Sequence, residues 1–176
     1  EDSISTSPAD QPEFSTDTLR FGTQYSDEVT PTMMLMVYNR HDKVMSISDI
    51  SIEGDDGVFR LNVDGFSGTR FSGVEIRPND SIYVLVSARF PTNGDFEPAR
   101  VDRTLTFTTN GVTRKVVLTA ESQDVERLTD PVITADTRWR PTHPRRIYGR
   151  LTVAPGATLT LEAGTTLLFH DKASVE

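Results

Sequence analysis

Apolar and polar residues alternate along most of the chain after residue 16, with the period of two that is typical of β-strands. The clearest stretch is SIYVLVSARF (81–90). RTLTFTT (103–109) has the same pattern and is separated from VTRKVVLTA (112–120) by Asn110 and Gly111, a pair that favours a type I′ hairpin turn. No stripe of helical period persists for three turns, so the pattern predicts an all-β chain.

Further stretches of the same kind predict the remaining strands. They are TLRFG (18–22), MMLMVYN (33–39), VMSISDISIEG (44–54), VFRLNV (58–63) and SGVEIR (72–77). Short strands with a turn every 8 to 12 residues or so are typical of an antiparallel sandwich. We therefore predict an Ig-like antiparallel β-sandwich over residues 17–122.

Two polar stretches flank this predicted domain. Residues 1–16 (EDSISTSPADQPEFST) hold too few apolar side chains to offset the entropy of ordering, and we expect a flexible polar tether. Residues 123–131 are polar and end in Pro131, which predicts a linker.

Residues 132–176 have a different pattern, with a repeat of eight residues. LTVAPGAT (151–158), LTLEAGTT (159–166) and LLFHDKAS (167–174) place leucines and glycines in phase. Short strands separated by glycine turns at a fixed period are what a parallel β-solenoid needs. We predict that residues 132–176 are the N-terminal cap and the first coil of a parallel β-helix, truncated after that coil.

Residues 17–122 resemble the ASH-type and related bacterial Ig-like modules. The resemblance rests on the TLRFG opening, the turn before the long strand, and the final Thr-Asn hairpin. The matching positions are Asn39, Pro78, Asp80, Ser81, Phe90, Pro91 and Asn110. The chain departs from the family at 40–43, where a charged stretch replaces a small turn. The resemblance implies that these are turn and core residues rather than an active site.

The C-terminal part resembles the opening of right-handed parallel β-helix domains of secreted bacterial proteins. The matching residues are Gly149, Leu151, Val153, Gly156, Ala157, Leu159, Leu161, Gly164, Thr165 and Phe169. An Ig-like module followed by such a domain is similar to surface lipoproteins of Gram-negative bacteria. The resemblance implies an extracellular, outer-membrane location with a lipid anchor, although the sequence contains no cysteine to carry the lipid.

The composition of the chain argues against several kinds of site and partner. The chain has 176 residues, a formal net charge of -8 and no cysteine. The absence of cysteine excludes disulfides, thiolate nucleophiles and cysteine-ligated metals. The acidic balance argues against nucleic-acid binding. The longest apolar run, Met33 to Tyr38, is too short for a membrane helix.

No catalytic or metal-binding motif stands out. His41, His143 and His170 lack metal-ligand spacing. The oxygen-rich loops 53–57 and 62–65 suggest calcium, but ordinary turn chemistry is favoured. We predict no catalytic residue, no cofactor and no metal in this chain.

Two groups of residues are candidate contact sites. Cations cluster around a tryptophan at Arg138, Trp139, Arg140, Arg145, Arg146 and Arg150. This cluster could bind an anionic glycan, with the indole stacking on a sugar, or it could be a solvated cap over the solenoid axis. Met34, Met36 and Tyr38 form an unusually apolar outward strand face, which predicts an interface.

These features together predict a non-catalytic extracellular surface module. It would be a spacer, adhesion or glycan-binding scaffold that presents a β-helix. The alternative is the N-terminal accessory part of a polysaccharide-degrading β-helix enzyme whose active site lies beyond residue 176. The expected partners are a polysaccharide or a host or cell-surface protein, but no nucleic acid. We also expect the truncated C-terminal segment, residues 151–176, either to pack on the Ig-like domain or to self-associate with a second chain through its exposed strand edges.

Overall fold

The computed structural model describes residues 3–176, and this part of the chain contains strands and turns but no helix. The prediction of an all-β chain is confirmed. The chain divides into two compact units. The first comprises the described residues up to Pro91 together with Arg100–Ser122, and the second comprises Thr92–Ala99 and Gln123–Glu176. Residues 3–176 contain no helix that could span a membrane.

The first unit is an antiparallel β-sandwich of two sheets, as predicted. Its strands are β1 (Glu13–Phe14), β2 (Thr18–Tyr25), β3 (Met33–Tyr38), β4 (Met45–Ile52), β5 (Phe59–Val63), β6 (Phe66–Gly68), β7 (Arg70–Phe71), β8 (Val74–Ile76), β9 (Ser81–Ala88), β10 (Ala99–Thr109) and β11 (Val112–Gln123). One sheet has the order β1-β3-β9-β5-β6, which we call the first sheet. The other has the order β2-β11-β10-β4-β7, and β8 also pairs with β4.

The core of the sandwich is made by alternate residues of both sheets. Leu35 and Val84, which face each other across β3 and β9, are fully buried, as is Phe107 of the other sheet. The ring centroid of Phe59 lies 5.7 Å from that of Phe21 and 5.7 Å from that of Phe90. The period-two pattern of the sequence therefore selects the inner face, because successive side chains of a strand point to opposite faces.

The hairpin between β10 and β11 has the predicted turn. Asn110 and Gly111 adopt φ angles of 50° and 78°, the two positive values that a type I′ turn requires. The Asn110 side chain also donates a hydrogen bond from Nδ2 to the carbonyl oxygen of Ser7, at 2.8 Å.

The prediction of a flexible tether at residues 1–16 is wrong over its described part, residues 3–16. Ile4 forms a parallel bridge with Val44, and β1 pairs with β3. Gln11 is buried and donates a hydrogen bond from Nε2 to the carbonyl oxygen of Thr109, at 2.8 Å. Backbone pairing and the packing of Phe14 against the sandwich core hold a segment whose composition alone predicts disorder. Residues 1 and 2 of the predicted tether lie outside the described residues.

The second unit is built from short parallel strands. They are β12 (Glu126–Thr129), β13 (Val132–Ile133), β14 (Thr137–Trp139), β15 (Arg145–Tyr148), β16 (Arg150–Val153), β17 (Leu159–Leu161), β18 (Leu167–Phe169) and β19 (Ser174–Val175). Each of the strands β12 to β16 pairs in parallel with the strand three places later in the chain, which gives the ladders β12-β15-β18, β13-β16-β19 and β14-β17. Consecutive strands therefore belong to different sheets.

The predicted linker at 123–131 is wrong, because it contains β12. Leu128 pairs with Ile147 and packs against the small core of the second unit, and Val125 is also buried. This stretch therefore supplies apolar side chains to the fold although most of its residues are polar. The buried centre of that core is Ile133, Ile147 and Leu151. The eight-residue repeat predicts strands where β16, β17 and β18 are found.

Candidate functional site

The arginines of the predicted cationic cluster lie in different local environments in the structure. Nη1 of Arg138 and Nε of Arg140 lie 3.5 and 3.7 Å from the same Glu162 oxygen, Oε1. Arg150 pairs with Glu176, at 2.9 Å between Nη1 and Oε2. These three arginines therefore already have carboxylate partners in the same unit, and Arg138 and Arg140 share one of them.

Arg145 is turned into the second unit and is only 7% exposed. Its guanidinium lies 5.1 Å from the ring centroid of Trp139, and its Nε lies 3.4 Å from Oε2 of Glu126. Nη1 donates to the carbonyl oxygen of Arg140, at 3.0 Å. The Trp139 ring packs against the core of the unit and carries Arg145 over one face.

Arg146 points to the outer surface of the sheet formed by β12, β15 and β18. Its Nη2 lies 3.2 Å from Nδ1 of His170, and its guanidinium lies 5.7 Å from the Tyr148 ring centroid. The Tyr148 and His170 rings are 4.8 Å apart between centroids. The structure thus separates Arg146 from Arg145, because neighbouring residues of one strand face opposite ways.

The histidines and the oxygen-rich loops have local structural partners. His143 contacts Glu126 through Nε2 and stacks on Phe96 with ring centroids 4.2 Å apart. His41 contacts Asp10, at 3.3 Å between Nδ1 and Oδ1. The Asn62 side chain accepts a hydrogen bond from the Gly65 amide, at 3.0 Å. Residues 3–176 contain no group of three His, Cys, Asp or Glu side chains placed to hold a metal ion.

The predicted interface residues lie on the outer face of the first sheet. Met34 is 58% exposed and pairs in register with Leu85 of β9. Met36 is half-buried and pairs with Tyr83. Tyr38 is half-buried, and the Arg40 guanidinium lies 4.5 Å from its ring centroid. The apolar strip therefore continues from β3 onto β9.

Beyond Leu85 the same face contains a groove that sequence reasoning missed. It has a volume of about 680 Å³ and is lined from β5, β6 and β9 by Arg60, Asn62, Ser67 and Ser87, among others. Arg60 is the register partner of Ser87, and Asn62 lies between Ser67 and Leu85. The sequence does carry one signal of this face: β5 has a polar residue at each outward position, between the buried Phe59, Leu61 and Val63.

Several arginines of the sandwich pair with carboxylates, whereas Arg60, like Arg20, Arg77 and Arg114, has no such pair within residues 3–176. Arg70, Arg89 and Arg103 pair with Asp49, Asp27 and Asp56. The hydrogen bond from Arg103, at 2.6 Å, holds the pKa of Asp56 below its ordinary value. Burial raises the pKa of Asp49, but the hydrogen bonds from Ser51 and Arg70 outweigh it and leave that pKa lowered. Arg60 has no hydrogen bond or ion pair to any side chain within residues 3–176.

No known family model matches the chain, and no curated protein is similar to it in sequence. Among solved structures, the VesB protease of Vibrio cholerae is 10% identical with a TM-score of 0.43, over 65% of this chain and 32% of that one. The human CEP192 ASH/PapD-like domain is 10% identical with a TM-score of 0.40, over 68% and 89%. A Porphyromonas gingivalis protein of unknown function is 10% identical with a TM-score of 0.45, over 73% and 59%. The chain thus spans about a third of the protease, and these identities and TM-scores are too low to assign it a family or a function.

Proposed function

We propose that the chain is a non-catalytic extracellular surface module whose second unit begins a parallel β-helix. The supporting observation is the pairing of each strand with the strand three places later, in parallel and in three separate sheets. A chain that winds around one axis with three strands per coil has this pairing. In this proposal the sandwich acts as a spacer and the β-helix is the part presented for adhesion or glycan binding.

Exposed apolar side chains on the last strand of each ladder favour further stacking. Leu161, Phe169 and Val175 are 46%, 45% and 56% exposed. Two of them pair in register with fully buried residues, since Phe169 pairs with Ile147 and Val175 pairs with Leu151. They therefore extend the columns of inward-facing side chains, and another coil would cover them. A second copy of the chain could cover them as well, in line with the predicted self-association.

Hydrogen exchange tests the proposal. We would compare this 176-residue chain with the longest natural protein that contains it. If another coil covers β17, β18 and β19, their amides exchange markedly more slowly in the longer protein. The amides of β15, which has parallel neighbours on both sides, serve as the internal control and are protected in both. Equal exchange of β17 to β19 in the two proteins contradicts the β-helix proposal.

An activity assay separates the module from the enzyme alternative. The longest natural protein is incubated with acidic and neutral polysaccharides, and new reducing ends or unsaturated products are measured. The proposed module binds without releasing product. Product release would overturn the non-catalytic assignment in favour of an accessory part of a polysaccharide-degrading enzyme.

A further inference from the structure

The groove on the outer face of the first sheet has the chemistry of a binding site. Its volume of about 680 Å³ lies in the range of known ligand pockets, about 300 to 1,000 Å³. Its strands belong to the middle and one side of the sheet, where β5 pairs with both β9 and β6. The part of the groove floor formed by β5 and β9 is therefore paired on both sides, whereas β6 is the edge strand of the sheet.

Neutral polar groups provide most of the polar lining. Ser67, Thr69 and Ser87 contribute hydroxyl groups, and Asn62 contributes a side-chain amide. Leu85 supplies an apolar patch in the floor, next to the exposed Met34 in register. Short hydroxyl and amide side chains beside an apolar patch suit a ligand that carries many hydroxyl groups on a partly apolar ring, because each group can both donate and accept.

One positive charge stands in this neutral lining. Arg60 contributes a guanidinium that no carboxylate among residues 3–176 neutralises, although the chain carries a formal net charge of -8. Within the described part of the chain, no acidic residue lines the groove. A guanidinium offers five donors in a planar fork that matches a carboxylate through two parallel hydrogen bonds. The charge is therefore complementary to one carboxylate on the ligand.

The paired backbone of β5 and β9 argues against a peptide that adds a strand above them. A peptide that adds a strand needs an unpaired sheet edge with free backbone groups. The backbone of β5 has no such edge, because β9 and β6 occupy both of its sides. Recognition above β5 and β9 must therefore come from side chains, and the hydroxyl and amide groups of the lining favour a sugar there.

We propose that this groove binds a carboxylate-bearing sugar unit, such as a hexuronate, with Arg60 contacting the carboxylate. Asn62, Ser67 and Ser87 contact the ring hydroxyls, and Leu85 packs against the ring. The site lies wholly within the first unit. It therefore goes beyond the proposed spacer role of the sandwich and does not depend on the β-helix proposal.

Calorimetry with a matched pair of probes tests the site. The 176-residue chain is titrated with a trimer of galacturonate and with the same trimer as its methyl ester, which keeps the hydroxyls and removes the charges. We expect the free acid to bind about tenfold to hundredfold more tightly, as the loss of a charge-assisted hydrogen bond implies. Equal binding of acid and ester, or no binding of either, overturns the proposal. So does tighter binding of a glutamate-rich peptide than of the free acid.

Variants locate the binding site. Arg60→Gln is expected to lower affinity for the free acid about tenfold or more while leaving the ester unchanged. Arg77→Gln removes the same charge from an exposed turn outside the groove and is expected to bind like the unaltered chain. Amide shifts of 15N-labelled chain should concentrate on β5, β6 and β9. An equal loss in both variants, or shifts centred elsewhere, contradicts the assignment.

Discussion

Asn39 offers a sharp test of how the sandwich is held together. Its side chain is 1% exposed. Nδ2 donates to the carbonyl oxygens of Lys43, Ile76 and Arg77, at 2.8, 3.1 and 3.1 Å. Oδ1 accepts from the His41 amide, at 3.0 Å. One amide group thus ties the loop after β3 to the end of β8.

The substitution Asn39→Asp keeps the shape of the side chain but replaces the donor by an oxygen that faces three carbonyl oxygens. Losing the donor removes roughly 1 kcal/mol per hydrogen bond, and a buried charge without a partner adds to that. We expect the free energy of unfolding to fall by about 3 to 5 kcal/mol at pH 7. The carbonyls favour the protonated acid, so the pKa of the new carboxyl is raised in the folded state.

The raised pKa gives the effect a pH dependence. Above the folded-state pKa the full penalty applies. As pH falls towards the unfolded value, about 4 for aspartate, the protonated acid donates a hydrogen bond again and part of the lost stability returns. Urea unfolding followed by circular dichroism at pH 7 and pH 5 measures both effects.

The matched control is Asn79→Asp. Asn79 is exposed in a turn with a φ of 55°, a conformation that aspartate also tolerates. We expect this variant to stay within about 0.5 kcal/mol of the unaltered chain, as surface substitutions usually do. If Asn39→Asp behaves like Asn79→Asp, the reasoning about the buried amide is refuted.

Three further predictions concern stability. Gly149→Ala should destabilise the second unit by about 1 to 3 kcal/mol, because Gly149 has a φ of 74° and a Cβ there collides with the Asp130 carboxylate. The fluorescence of Trp139, the single tryptophan, follows the unfolding, and an unchanged unfolding transition would contradict the prediction. Ile147→Ala should lower the free energy of unfolding by about 2 to 5 kcal/mol, measured with the same probe, because Ile147 is fully buried. A loss below about 1 kcal/mol would contradict this and would mean that the core relaxes around the cavity. Asp56→Asn should lower the free energy of unfolding by at most about 1 kcal/mol at neutral pH, because the pKa of Asp56 is lower in the folded than in the unfolded chain and this stabilises the fold above the unfolded-state pKa. Unfolding at several pH values should show the difference between the two proteins vanish as pH falls through the folded-state pKa, and a difference that persists in acid would refute the assignment.

The sandwich could be predicted because its signals are local. The alternation in β9 and the turn at Asn110 and Gly111 each lie within one stretch of sequence and fix strand, face and hairpin. The position of residues 3–16 could not be predicted in the same way. Gln11 is buried because it meets Thr109, nearly a hundred residues later, and no local pattern encodes that contact.

The candidate sites show the same division between local and distant information. Arg145 and Arg146 are adjacent in sequence, and composition alone groups them, but the strand turns one inward and the other outward. The groove combines Arg60, Ser67 and Ser87 from three strands, so it exists only after the sheet has formed. The alternation of polar residues in β5 could have indicated an outward face, but not the missing carboxylate partner of Arg60.

The parallel ladders of the second unit also bear on how its length can change. Glu126 pairs with Arg145 nineteen residues later, Thr137 pairs with Leu159 twenty-two residues later, and Arg150 pairs with Ser174 twenty-four residues later. The strands stay in register although these steps differ, so the additional residues are absorbed in the turns. Insertions at the turns should therefore be tolerated without shifting any ladder, which would let evolution or an engineer attach new loops to an unchanged frame.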